Sequence, residues 1–122
     1  MHELSISEGI VEVAAAAVRA LPPPWPPVSR VTVRIGRLTG LVSDSVRHYF
    51  GLLVPGTPLA GAGLEVEEVP IRARCADCAR VFVIETLSFT CSHCGSGFVE
   101  LLSGRELQVV SVDTVEELAG AG

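Results

Sequence analysis

The 122-residue chain carries a formal net charge of −5, and its nine cationic side chains are all arginine. That balance excludes the basic stripe with which a nucleic-acid binder displaces phosphate counterions, and no stretch approaches the roughly 20 apolar residues needed to span a bilayer. At 48% hydrophobic but only 5% aromatic, the chain can form one ordinary domain, or a small domain carrying a smaller module, around a core of Val, Leu, Ile and Ala.

From Leu4 to Leu21, the residues Leu4, Val11, Ala14, Val18 and Leu21 recur at helical spacing. Glu3 early and Arg19 late suit the helix dipole. Ser5 and Glu8 have capping-box spacing, which predicts a regular helix that starts at Ser5 rather than at His2. The run from Gly9 to Ala20 is interrupted by Glu12 and Arg19 and lacks the basic front region of a signal peptide, so the expected location is the cytoplasm. Pro22-Pro23-Pro24-Trp25-Pro26-Pro27 ends the helix and forms an extended linker. Arg30 to Ile35 then alternates with period two, a strand with Val31, Val33 and Ile35 inward. Gly36 to Gly40 reads as a turn. Ser43 reads as the N-cap of a second helix with Val46, Tyr49, Phe50 and Leu53 on its apolar side, ended by Val54-Pro55-Gly56. A second alternating strand begins at Leu64 and runs towards Arg72, and a last one covers Glu106 to Val112.

The expected fold is α+β. Residues 1–72 with 103–122 form an α/β body, a small mixed sheet of about three strands covered by two helices, and residues 73–102 form an inserted zinc-ribbon module. There are no internal repeats beyond two cysteine pairs.

Those pairs carry the strongest chemical signal. Cys75, Cys78, Cys91 and Cys94 form C-x2-C-x12-C-x2-C, with no cysteine elsewhere. Each pair lets two sulfurs of one tight turn reach a single ion, and two such turns complete a tetrahedron of thiolates, which suits structural zinc with no open position. Phe82, Val83 and Ile84 fit a short ribbon strand, and Gly95 and Gly97 give the chain freedom to leave the second turn. An iron–sulfur centre and redox thiols are the other chemistries open to four clustered cysteines. A module this small draws most of its stability from its metal. With four thiolates present His93, inside the second pair, is not expected to be a zinc ligand; the lesser reading is that its imidazole tunes the thiolates or exchanges with one as pH falls.

The amino terminus is the second candidate site. Met1 is expected to be retained, because histidine is too large a second residue for removal of the initiator. The Met1 amine and the backbone nitrogen of His2 close a five-membered chelate, and that nitrogen with the His2 imidazole Nδ1 closes a six-membered one. Three nitrogens in a plane favour Ni(II) or Cu(II). Glu3 adds charge or a further ligand beside them. Read alone, a histidine at position 2 is more often simply solvated, Glu3 is an ordinary first-turn acid, and His48 beside Tyr49 is structural. No catalytic constellation competes for an enzyme role.

Met1-His2-Glu3-Leu4-Ser5, Arg34-Ile35-Gly36 with Leu38-Thr39-Gly40, the two CxxC motifs and Gly104-Arg105-Glu106-Leu107 together resemble the HypA/HybF family of hydrogenase nickel-incorporation proteins. The resemblance covers almost the whole chain. It implies a nickel metallochaperone that is not an enzyme, with Ni(2+) as transported cargo at His2 and Glu3 and a structural Zn(2+) on Cys75, Cys78, Cys91 and Cys94. It further implies a HypB-type GTPase and the [NiFe]-hydrogenase large subunit precursor as partners, with urease maturation proteins for some members. A zinc-ribbon adaptor with an inert amino terminus is the alternative. The family's second CxxC often has Pro after its first Cys, where this chain has Ser92.

Overall fold

The computed structural model describes residues 2–86 and 88–115. Helix α1 spans His2–Arg19 and begins three residues before the position its capping-box pattern predicts. Its buried stripe is Ser7, Ile10, Ala14, Ala15 and Val18, whereas Leu4 and Leu21, both expected inside, are 40% and 43% exposed. Ala14 and Val18 are buried as their spacing requires, and Ser7 is buried as a polar residue, its hydroxyl reaching the Val46 carbonyl of α2 at 3.1 Å. The Pro-rich segment after α1 returns Trp25 towards the helix end, where the indole N–H donates to the Leu21 carbonyl at 3.0 Å. That bond fastens the Pro-rich segment to the chain two residues beyond the end of α1.

Strand β1 (Val28–Gly36) buries Val31, Val33 and Ile35 as the alternation requires, and Thr32 as well. It is the centre of a three-stranded sheet of order β2-β1-β6, with β2 at Gly63–Val69 and β6 at Leu107–Thr114. Arg30 pairs with Asp113 on β6 at 3.0 Å, and Arg34 with Glu67 on β2 at 3.4 Å. These exposed pairs add at most about 1 kcal/mol each, but they mark which residues stand side by side.

Helix α2 (Ser43–Leu53) has Val42, not Ser43, as its N-cap, with extended φ/ψ of −90° and 113°. Ser43 is the first helical residue and is buried. Val42 has no capping side chain of its own. Its backbone N–H instead donates to the Glu3 carboxylate at 3.1 Å, a role that a capping-box acid fills from within the same helix. Val46 and Phe50 are buried, and His48 is exposed with its ring edge-on to Tyr49, centroids 5.5 Å apart.

The strand expected from Leu64 towards Arg72 is in fact two strands. Pro70, which has no N–H to give a ladder, separates β2 from β3 (Ile71–Cys75), and the two belong to different sheets. The second sheet has order β4-β3-β5, with β4 at Val81–Ile84 and β5 at Val99–Ser103, both antiparallel to β3. Ile71, Ala73 and Ile84 form its core, joined by Leu38, Phe82, Val99 and Leu101. The described residues are thus α+β, with two α-helices, a short 3-10 turn at Arg37–Thr39 and two small sheets.

It divides into two compact units, one of Met1–Arg34, Leu41–Glu67 and Gln108–Gly122, the other of Ile35–Gly40 and Glu68–Leu107. Ile35–Gly40 joins the second unit because Gly36 N–H donates to the Glu106 carbonyl and Leu38 N–H to the Gly104 carbonyl, each at 2.8 Å. A side chain at Gly36 would collide with the Gly104 backbone.

Candidate metal centre

Two turns of nearly identical construction hold the cysteines. In the first, Ala79 N–H donates to the Cys75 carbonyl at 2.9 Å, and the N–H groups of Asp77 and Cys78 both point at Cys75 Sγ at 3.4 Å. In the second, Gly95 N–H donates to the Cys91 carbonyl at 2.9 Å, and the N–H groups of His93 and Cys94 point at Cys91 Sγ at 3.3 and 3.4 Å. Each turn closes on a residue with positive φ, Ala79 at 67° and Gly95 at 80°. Glycine adopts that conformation without penalty; alanine does not. Gly97, the other glycine singled out in the sequence, is not in that region. Ser96 joins the turns by donating its hydroxyl to Asp77 Oδ2 at 2.5 Å.

The result is a compact set of sulfurs. Cys75 Sγ lies 3.5 Å from Cys94 Sγ, Cys78 Sγ lies 3.7 Å from Cys91 Sγ, and all four fall within 4.8 Å of one another. A tetrahedral ion with metal–sulfur bonds near 2.3 Å sets its sulfurs about 3.8 Å apart, so the four are grouped closely enough to surround one ion. Cys75 and Cys91 are buried and Cys94 is exposed.

Electrostatics divide the four. The Cys91 thiol is lowered to about 6, first by the Cys94 N–H and further by the His93 N–H, against the cost of burial. Cys75 is lowered in the same way by the N–H groups of Cys78 and Asp77. Cys94 is pushed up to about 12: the Ser96 N–H favours its thiolate, but the Cys75 sulfur, burial and the other two sulfurs together outweigh it. Cys78 is raised too, against the pull of the Arg80 N–H, by burial and by the Cys91 and Cys75 sulfurs. Four thiolates cannot share so small a space without a cation among them.

His2 and Glu3 belong to the first unit. His2 is the first residue of α1 and is exposed. Glu3 follows it, with its carboxylate held below the usual range, first by the Val42 N–H and then by its own. Met1 lies outside the described residues. Among the described residues the four cysteines are the one group of His, Cys, Asp and Glu able to hold a metal together. His93 contributes its backbone N–H to the second turn. Sequence reasoning missed Ala79, Ser96 and Asp77. Only Asp77, lying between two cysteines, carried any signal, and its partner is 19 residues away.

Residues 1–114 match the family model described as hydrogenase/urease nickel incorporation, metallochaperone, hypA. The chain belongs to the HypA family. It is 42% identical over 116 residues to the hydrogenase maturation factor HypA of Desulfosudis oleivorans, an alignment covering 95% of this chain and 100% of that one. It is 45% identical over 114 residues to the HypA of Streptomyces avermitilis, covering 92% and 86%. The solution structure of the Ni metallochaperone HypA from Helicobacter pylori shares the fold, with a TM-score of 0.62 at 20% identity, covering 94% of this chain and 98% of that one. HypA proteins are nickel-incorporation metallochaperones and maturation factors for hydrogenase or urease, and no helix of the described residues is long and apolar enough to cross a membrane.

Proposed function

We propose that this HypA chain carries one Ni(II) at its amino terminus, on the Met1 amine, the His2 backbone nitrogen and the His2 imidazole, with Glu3 supporting them. A structural zinc on Cys75, Cys78, Cys91 and Cys94 stabilises the second unit. The carrying observation is the family match running from residue 1, through Met1-His2-Glu3, to residue 114. The place of His2 supports the reading. It is exposed, at the head of a helix whose first N–H groups have no intrahelical acceptor, so its nitrogens meet an ion without any hydrogen bond of the helix being broken.

The cargo site binds reversibly because its donors are protonated near neutrality. The amine has an ordinary pKa of about 7.7–8.0 and the imidazole about 6.5, and both must lose protons to coordinate nickel. Delivery goes to the [NiFe]-hydrogenase large subunit precursor, with a HypB-type GTPase as partner and urease maturation as a second outlet. Zinc closes its four-sulfur site and takes no part in the hand-over chemistry; with all four positions filled it has no room for a substrate. The protein works in the cytoplasm and catalyses no reaction of its own.

Calorimetric nickel titration of the untagged chain and of His2→Ala tests this reading. The native chain is expected to take about one equivalent, and the variant to lose roughly 100-fold or more in affinity, the loss of a chelating ligand. Equal binding by the two would favour an adaptor with an inert terminus.

A further inference from the structure

Glu3 and Ser7 lie one turn apart on α1, and each reaches across to α2. Glu3 Oε2 accepts the Val42 N–H at 3.1 Å. Ser7 is fully buried, with its hydroxyl 2.7 Å from the Glu3 carbonyl oxygen and 3.1 Å from the Val46 carbonyl oxygen. That hydroxyl has a single hydrogen to share between two acceptors, so it binds the Glu3 backbone and the α2 backbone at one point. Together the two side chains make a two-point clamp between the first turn of α1 and the first turn of α2.

The clamp accounts for where α1 begins. A helix frays at its first turn, where N–H groups lack partners, and the local capping signal sits at Ser5. His2, Glu3 and Leu4 are helical nonetheless. What holds them is tertiary: Glu3 on Val42 and Ser7 beneath. An unheld terminus would have to surrender conformational freedom each time a metal bound; a held one has already done so.

We propose that Glu3 and Ser7 are positioning residues for the nickel site, clamping the head of α1 to α2 so that His2 meets the ion from an ordered turn, and that the Glu3 carboxylate acts through the Val42 N–H rather than as a ligand. This rests on the nickel reading above. It narrows the part played by Glu3 and adds Ser7 and Val42, neither of which contacts the metal.

The test uses the untagged full chain with its zinc in place and two readouts: amide hydrogen exchange at residues 5–7 without nickel, and nickel affinity with the visible circular dichroism of the complex. Glu3→Gln keeps an acceptor oxygen for Val42 and is expected to exchange like the native chain and bind nickel within about threefold of it. Glu3→Ala is expected to exchange about tenfold faster and bind about tenfold more weakly, with an unchanged spectrum because the ligands are the same. Val42→Pro, which removes the donor, and Ser7→Ala should shift both readouts the same way, by about threefold or more. If Glu3→Gln binds as poorly as Glu3→Ala while its exchange stays native, the carboxylate is a ligand and the proposal is overturned. Native exchange in Glu3→Ala overturns it equally. Full nickel binding by His2→Ala, with the exchange differences intact, would instead remove the nickel reading and leave the clamp as fact.

Discussion

In the cysteine cluster every sulfur is placed by backbone. Two turns repeat the same carbonyl and N–H contacts, each closes on a positive-φ residue, and Ser96 and Asp77 tie one to the other. Around His2 the construction is sparse. One carboxylate and one hydroxyl hold the turn, and the imidazole is exposed. A set of donors fixed in advance from all sides suits an ion that stays. A donor on an exposed helix head suits one that leaves.

The sharpest way to break that contrast is to remove a sulfur. Cys75→Ala or Cys94→Ala should lose zinc altogether and unfold β3, β4 and β5 while sparing most helical content, because structural zinc contributes on the order of 10 kcal/mol to modules of this kind. Metal analysis with far-ultraviolet circular dichroism checks it; native zinc content in either variant would deny that all four sulfurs bind. Next in size is a residue added before Met1. It turns the amine into an amide and should weaken nickel by roughly 100-fold while leaving zinc untouched. An extended chain with native nickel affinity would exclude the amine as a ligand.

Proton release separates the two sites more finely. Because the thiols of Cys78 and Cys94 are raised, they hold their protons at pH 7, while Cys91, lowered to about 6, is already ionised. Zinc uptake by the metal-free chain should therefore expel at least the two protons of Cys78 and Cys94 at pH 7, and zinc affinity should climb as pH rises. Calorimetry in buffers of differing ionisation enthalpy measures the count, and a value near zero would contradict the division among the sulfurs. The smallest effect concerns the two turns. Ala79→Gly should stabilise, and Gly95→Ala destabilise, by about 1 kcal/mol each, since both positions have positive φ. Denaturation with zinc bound would show it.

The cluster was legible in the sequence because its ligands come as local pairs whose spacing alone sets the turn. The alternation of Val31, Val33 and Ile35 was legible for a similar reason: β1 is central, and its pattern reflects burial directly. Other features depended on distant partners. The stripe of α1 was read correctly at Ala14 and Val18 but missed Ser7, a polar residue whose burial depends on its hydroxyl reaching the Val46 carbonyl of α2. Ser43 was mistaken for the cap because the true partner of Val42 comes from Glu3, 39 residues earlier. Strand β5 was missed because Glu100 and the adjacent Leu101 and Leu102 do not alternate cleanly, and only pairing with β3 defines it. Pro70 could have warned of the break between β2 and β3, but not that the two would enter different sheets.

The strand order β2-β1-β6 has a consequence in time. During synthesis β1 and β2 leave the ribosome early, while the strand that completes their sheet begins only at Leu107. Until it arrives, one side of β1 is an open template for any passing chain. If the four cysteines hold zinc as proposed, a cell short of that ion should therefore lose this protein to aggregation before its nickel chemistry is ever called upon.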